Sequence, residues 1–125
     1  MKNPIKEKSK LFAIRIINLY KHLIDKKKEF VMSKQLLRSG TSIGANSAEA
    51  MYSISEPDMM HKLYISLREC SETIYWLELL QETNYITEKE FSSIYKDAEE
   101  LRKMLSSSTK TLKLKIDNKK KQNKE

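Results

Sequence analysis

Two segments of the sequence concentrate charged and polar side chains at helical spacing. Side chains three or four positions apart share a face of a helix, which would place Asn46 beside Glu49 and Arg68 beside Glu72. Such groups either line a polar ligand pocket or form a hydrogen-bonded network that fixes helix register or subunit contacts. We favour a structural polar network, whose members are Arg38, Asn46, Glu49, Arg68, Glu69 and Glu72.

Metal chemistry needs a different pattern. A carboxylate-bridged metal site in a helical bundle uses several inward glutamates and a Glu-x-x-His pair on each of two helices. This sequence offers only Asp58-x-x-His61, and His22 has no acidic residue three positions before it. We therefore expect no metal and no cofactor, and we expect both histidines at the surface or at an interface.

Nucleophilic catalysis is not indicated either. Cys70 is the only cysteine, and it falls on an apolar helical seam where burial would raise the pKa of its thiol. No Gly-rich phosphate loop occurs, and the spacing of Gly40 and Gly44 is typical of close helix packing. Trp76 and Tyr75 could stack on nucleic-acid bases, but their place in a heptad helix favours core or subunit interface. We expect the protein not to be an enzyme.

Lysines are the feature that points to a partner. The net charge of +7 divides into +3 for residues 1–10, +5 for residues 110–125 and −1 for the residues between them. Lysine-rich arms attract nucleic-acid phosphates by an electrostatic interaction that weakens as the salt concentration rises. The same arms could instead serve only to keep the protein soluble. The candidate nucleic-acid-binding residues are Lys2, Lys6, Lys8, Lys10, Lys110, Lys113, Lys115, Lys119, Lys120, Lys121 and Lys124.

The chain that positions these groups is predicted to be all-helical, because it has only two glycines and two prolines with which to make turns. Helix 1 is expected over about residues 9–27, with a core stripe and further apolar positions that widen it beyond what one bundle needs. That width predicts a second covered side, against a neighbouring subunit. The stripe is Phe12, Ile16, Leu19 and Leu23, and Leu11, Ile14, Ile17 and Ile24 widen it.

Helix 2 is predicted over residues 32–52 against local propensity, since Ser39 to Ser42 reads as a loop. Small residues recur there at helical spacing and would admit another helix backbone unusually close. Helix 3 is predicted over residues 56–83, about 42 Å long, with Ser55 as its cap. Helix 4 begins at the capping box of Thr87 and Glu90.

The end of helix 4 is less determined. Its body is predicted to end at residues 106–109, after which apolar residues alternate with lysines. That segment either continues the helix or pairs with something else, and the final polar residues are expected to be disordered. The predicted organisation is a basic N-terminal arm over residues 1–8, an antiparallel up-down-up-down four-helix bundle over residues 9–109, and a partly disordered lysine-rich extension over residues 110–125.

Residues 35–50, QLLRSGTSIGANSAEA, and residues 62–77, KLYISLRECSETIYWL, carry a family resemblance. The first contains RS-x-x-SI-x-x-N-x-AE, and the second has the Ser, Glu and Tyr-Trp-Leu positions of a third helix. Over about residues 9–108 the chain resembles the four-helix-bundle family encoded in intervening sequences of bacterial 23S ribosomal RNA genes. It departs from the family pattern at Ala50, where many relatives have glycine, and in the extension beyond Lys110.

The resemblance implies a homo-oligomeric ring or barrel, often a pentamer, with no known enzymatic activity. Distantly similar bundles accompany the reverse transcriptases of diversity-generating retroelements, an analogy of fold only. Two functions remain open: binding of RNA or DNA backbone through the basic arms, or scaffolding of a protein partner such as a reverse transcriptase. The single cysteine and the lack of about 18 consecutive apolar residues favour a cytoplasmic protein without a membrane partner.

Overall fold

The computed structural model describes residues 3–123 and contains four helices, with no strand in that range. The helices are α1 (Pro4–Asp25), α2 (Met32–Ala50), α3 (Glu56–Glu82) and α4 (Glu88–Asn123). The predicted all-α fold with four helices is confirmed. The predicted bounds of helices 2 and 3 agree with the structure to within two residues.

Helix α1 begins five residues before the predicted start at Ser9. Asn3 is the N-cap, its side chain accepts a hydrogen bond from the amide of Lys6, and Pro4 occupies the first turn. These are favourable starting residues for a helix, and the lysines that follow do not prevent one. The prediction of residues 1–8 as an arm outside the bundle is therefore wrong for residues 4–8, which are helical.

Helix α4 also exceeds its prediction. It starts at the predicted capping box, in which the Thr87 amide donates to Glu90 and the Glu90 amide donates to the Thr87 hydroxyl. Of the two alternatives for the segment after residues 106–109, the structure has the continued helix, which extends to Asn123. With 36 residues it is about 54 Å long, whereas α1 is about 33 Å long. The expected disorder of the final residues does not hold for residues 117–123.

Contacts between the helices establish an antiparallel bundle. Along α2 and α3, Ser39 bonds Thr73 and Ser47 bonds Ser66, so sequence number rises on one helix as it falls on the other. The other neighbouring helices are antiparallel in the same way. The contacts are Gly40 with Ile16 and Gly44 with Ser9 between α1 and α2, Cys70 with Ala98 and Glu56 with Lys119 between α3 and α4, and Lys8 with Glu100 and Arg15 with Asp97 between α1 and α4. Helices α1 and α4 therefore close the bundle, in the predicted up-down-up-down topology.

Close approach of α1 to α2 depends on the two glycines. A Cβ atom at Gly40 would lie 2.8 Å from side-chain carbons of Ile16, and one at Gly44 would lie 3.3 Å from the carbonyl oxygen of Ser9. Ile16 is fully buried. The prediction that small residues make helix 2 a packing surface is confirmed, and tertiary packing overrides the weak helix propensity of Ser39 to Ser42.

Candidate nucleic-acid interface

The segment of α4 beyond Ser108 is held against α3 by an apolar face. Thr109 and Leu112 are buried and Ile116 is half-buried, at intervals of three and four residues. Nearer the end, the ammonium group of Lys119 pairs with the Glu56 carboxylate at the start of α3. This hydrogen bond holds the pKa of the Glu56 carboxyl below its ordinary value. The extension is therefore packed as a helix, and its lysines face outward.

The predicted lysines differ in their surroundings. Lys8 pairs with Glu100 on α4 and Lys119 pairs with Glu56, so their charges are partly neutralised. Lys2 and Lys124 lie outside the described residues. The remaining seven are exposed and form no ion pair with any of residues 3–123: Lys6, Lys10, Lys110, Lys113, Lys115, Lys120 and Lys121.

Both lysine-rich segments meet at one end of the bundle. A groove of about 780 Å³ lies there between the start of α1, the start of α3 and the extension of α4. Because α1 is the shorter helix, it leaves part of α4 without a neighbour on that side. Lys103 and Lys115 lie beside apolar groups in the groove, whose lining includes Pro4, Ile5, Met51, Met59, Leu63, Met104 and Leu112.

Three of the six predicted network residues converge at the junction of α2 and α3. The Arg38 guanidinium lies 3.2 Å from a Glu69 carboxylate oxygen and also pairs with Glu72. Glu72 in turn accepts a hydrogen bond from the Trp76 indole at 3.1 Å. Since the Arg38 side chain is about half exposed, this cluster ties two helices together at the surface and encloses no pocket.

The other three predicted members do not join that cluster. Asn46 donates to the carbonyl of Ser42 on its own helix, and Glu49 and Arg68 are exposed. Within residues 3–123, neither Glu49 nor Arg68 forms an ion pair, so the predicted pairing of Arg68 with Glu72 is replaced by the pair of Arg38 with Glu72. The six residues thus do not form one network, and the structural role of Arg38, Glu69 and Glu72 remains a prediction.

Cys70 occupies the apolar seam as predicted. Its side chain is fully buried, and the thiol donates to the carbonyl of Ala98 at 3.3 Å. Burial, together with the charge of Glu99, raises the pKa of the thiol to about 12. The thiolate form is consequently scarce at neutral pH.

The remaining polar candidates are dispersed. His22 and His61 are exposed, and residues 3–123 contain no cluster of three histidine, cysteine or acidic side chains able to hold a metal ion. Trp76 is half-buried, and its ring meets that of Tyr75 edge-on with centroids 5.3 Å apart. Among the described helices, none is both long and apolar enough to span a membrane.

Comparison with known proteins identifies the family. The family model described as 23S rRNA-intervening sequence protein matches residues 1–107. The chain belongs to this family. A solved relative, described as a protein with unknown function from the S23 ribosomal protein family of Bacteroides thetaiotaomicron, is 56% identical to it with a TM-score of 0.84. The match covers 85% of this chain and 98% of the relative. No curated protein matches the chain.

Within the 23S rRNA-intervening sequence protein family, the C-terminal part of α4 is an addition to the common bundle. The family match ends at residue 107, whereas α4 continues through Asn123. Six of the described lysines and one wall of the groove lie in this added part. The candidate interface thus combines a family bundle with an element outside the family match.

Sequence reasoning missed several groups that position these helices. Glu29 is buried, and its carboxylate accepts hydrogen bonds from the amides of Val31 and Ser33 at the start of α2. Arg15 reaches across to Asp97 and to the backbone carbonyl of Ser93 on α4. Two hydrogen bonds between buried hydroxyl groups also join α2 to α3, Ser39 with Thr73 and Ser47 with Ser66. The signal for them in the sequence was the presence of serines at the buried positions of both helices.

Proposed function

We propose that this protein is a non-catalytic homo-oligomer that binds the phosphate backbone of RNA or DNA through lysines at one end of its helical bundle. The observation that carries the proposal is the clustering of exposed lysines along the α4 extension and the start of α1. Five of them, on the extension, have no ion pair within residues 3–123: Lys110, Lys113, Lys115, Lys120 and Lys121.

The α4 extension favours binding over mere solubility. A disordered solubilising tail needs no packing, but Leu112 is only 8% exposed, and Lys119 is paired across to α3. A helix held in this way presents its lysines in a fixed arrangement, so less conformational freedom is lost when phosphates bind. Lysine is a point charge that suits phosphate contacts without reading bases.

Oligomerisation would strengthen this interaction. Leu11 and Ile14 of α1 are 65% and 47% exposed, although the bundle already buries Phe12 and Ile16 of the same helix. We infer that another copy of the chain covers these side chains, as a ring of the kind the family resemblance implies. Each added copy brings another basic end, and linked weak sites bind a long polyanion with greater overall affinity.

The absence of catalytic activity is part of the proposal. It is supported by the buried, protonated thiol of Cys70 and by exposed histidines that lie apart from one another along the sequence. Within residues 3–123, no three histidine, cysteine or acidic side chains come together in a group that could hold a metal ion.

A charge-matched pair of variants tests the nucleic-acid proposal. The first replaces Lys110, Lys113, Lys115, Lys120 and Lys121 with glutamine; the second makes five such replacements at the opposite end of the bundle, at Lys21, Lys26, Lys27, Lys34 and Lys89. RNA and DNA affinity would be measured by fluorescence anisotropy over a series of salt concentrations. We expect the first variant to bind weakly, and the slope of log affinity against log salt concentration to become shallower by about 3.5 to 4.5.

The second variant has the same net charge and should bind nearly as the parent does. Equal weakening of both variants would reduce the effect to net charge and reject a localised interface. Unchanged binding by the first variant at every salt concentration would reject the proposal itself.

The alternative function is a scaffold for a protein partner, such as a nucleic-acid enzyme, with lysines serving only solubility. The observation in its favour is the outer face of α3, where Tyr64 and Tyr75 are 41% and 54% exposed. On this alternative, the five-lysine variant should still retain the native partner in a pull-down, and Tyr64→Ala with Tyr75→Ala should release it. Loss of the partner on lysine replacement alone would argue against it.

A further inference from the structure

An exposed aromatic residue follows Met51, a residue that lines the basic groove. In the loop between α2 and α3, Tyr52 is 82% exposed and Ile54 is 95% exposed. The loop backbone is nevertheless fixed, because the amides of Met51 and Tyr52 donate to the carbonyls of Ala48 and Glu49. A large apolar ring is therefore held in solvent by an ordered turn.

The groove next to this loop combines apolar and cationic groups. Met51 and Met59 belong to its apolar surface, while Lys103 and Lys115 supply positive charge. Glu56 is the acidic residue in the lining, and its carboxylate is paired with Lys119. Methionine side chains adapt their shape to flat ligands and make favourable contacts with aromatic rings.

This combination distinguishes between forms of nucleic acid. A duplex turns its phosphates outward and keeps the faces of its bases stacked, so it could satisfy the lysines but would leave Tyr52 and the apolar groove uncovered. A single strand exposes both phosphates and base faces, and proteins that bind it pair a cationic groove with aromatic stacking surfaces. The chemistry at this end of the bundle fits the single strand better.

We propose that the ligand is single-stranded nucleic acid, with bases stacked on Tyr52 and lying against the groove, and phosphates on Lys103, Lys115 and the α4 extension. This inference rests on the proposed function, because it assigns the form of the nucleic acid that the lysines bind. Stacking on a tyrosine and contact with methionines tolerate every base, so little sequence preference is expected.

The test compares Tyr52→Ala, Tyr52→Phe and Phe30→Ala in the full-length chain. Phe30 is the matched control, an aromatic residue 53% exposed in the loop at the opposite end of the bundle. Fluorescence anisotropy would measure binding to labelled oligouridylate, oligothymidylate and a mixed-sequence RNA duplex. Circular dichroism and light scattering would establish that all variants keep the fold and the assembly of the parent.

We expect the parent to bind both single strands more tightly than the duplex. Tyr52→Ala should weaken single-strand binding by about 5-fold to 150-fold, the range for loss of one stacked base, and leave duplex binding unchanged. Tyr52→Phe keeps a stacking face and should remain within about twofold of the parent, as should Phe30→Ala. The tyrosine fluorescence of the parent should also be quenched on binding, and that of Tyr52→Phe should be quenched less.

Failure of this inference can be told apart from failure of the proposed function. Single-strand affinity that is unchanged in Tyr52→Ala, but lost in the five-lysine variant, would overturn the stacking assignment and leave backbone binding intact. Tighter binding of the duplex would also overturn it. If Tyr52→Ala keeps its nucleic-acid affinity but releases a co-purifying protein, the loop is a protein contact and the inference is wrong.

Discussion

Individual residues set how closely the helices of this bundle pack. Gly40 faces Ile16 at a distance that leaves no space for a methyl group, and the Gly44 position is nearly as close to the backbone of α1. The Ser–Thr and Ser–Ser pairs across α2 and α3 satisfy small polar groups inside the same core. At this scale, small side chains at the buried positions of α2 determine which helix can lie against it.

Gly40→Ala is predicted to destabilise the fold by about 1 to 3 kcal/mol, because the new methyl group would overlap the buried Ile16 side chain. Ile16→Ala alone should cost about 2 to 5 kcal/mol through loss of buried carbon atoms. In the double variant the methyl group enters the space that Ile16 vacates, so the two costs should not add. Urea denaturation of the four proteins measures this, and simple additivity would show that the two positions do not interact.

Cys70 is predicted to be inert in the folded protein. Since burial raises the pKa of its thiol to about 12, Ellman's reagent should react slowly with native protein at pH 8 and rapidly after unfolding. The raised pKa means that the folded state favours the protonated thiol. The stability that the protonated Cys70 thiol contributes is therefore complete at pH values below the ordinary thiol pKa of 9.0. It falls as the pH rises from 9.0 toward the raised pKa of about 12. Cys70→Ala should remove this loss, and rapid labelling of native protein would contradict the assignment.

At the scale of elements, α4 is the helix that continues past the end of the family match at residue 107. Its buried residues recur at intervals of three and four positions and pack on α3. This packing continues beyond the N-terminal end of α1. Most helical stability in proteins comes from such an apolar face, and the lysine-rich part of α4 retains one. The apolar residues among the lysines thus give the extension its helical structure.

Leu112→Ala is predicted to loosen the extension, because Leu112 is its most distal buried apolar residue. Hydrogen exchange should then show faster exchange of the amides beyond Ser108, while the amides of α1 and α2 stay protected. Leu114→Ala is the matched control, since Leu114 is 64% exposed and its loss uncovers no core. Equal exchange in the two variants would mean that the face containing Leu112 does not hold the extension.

At the scale of the whole molecule, the structure gathers positive charge at one end. Residues 3–10 and 110–123 are far apart in the sequence, but antiparallel packing of α1 against α4 brings the two segments to the same end of the bundle. The opposite end has lysines too, beside the loop between α1 and α2, and the groove that Lys89 lines near that end has a volume of about 320 Å³. Assembly of several copies would multiply the basic ends.

Leu11→Glu combined with Ile14→Glu is predicted to reduce the proposed homo-oligomer to monomers, because charges on this face of α1 would be costly to bury between copies. Multi-angle light scattering should give a multiple of 14.7 kDa for the parent and 14.7 kDa for the variant. Val31→Glu, at a residue 74% exposed in the loop before α2, is the control and should keep the parent mass. A monomeric parent would reject the oligomer proposal outright.

The sequence by itself determined the helical class, the bounds of α2 and α3, the Ser55 cap and the capping box of Thr87 and Glu90, because apolar periodicity and capping residues are local signals. It also placed Cys70 in the core and assigned Gly40 and Gly44 to helix packing. Lysine-rich composition alone did not determine the helix ends, because Asn3 caps α1 before the first lysines and the buried side chain of Leu112 lies among the last ones.

Only the tertiary structure decided which charged groups meet. Arg38 could have paired along its own helix or across to α3, and the choice of Glu69 and Glu72 depends on the relative position of two helices. The convergence of the start of α1 and the α4 extension on one groove likewise depends on helix lengths and antiparallel order. Spacing along a chain defines the faces of single helices, whereas the partner of each face is fixed by packing between helices.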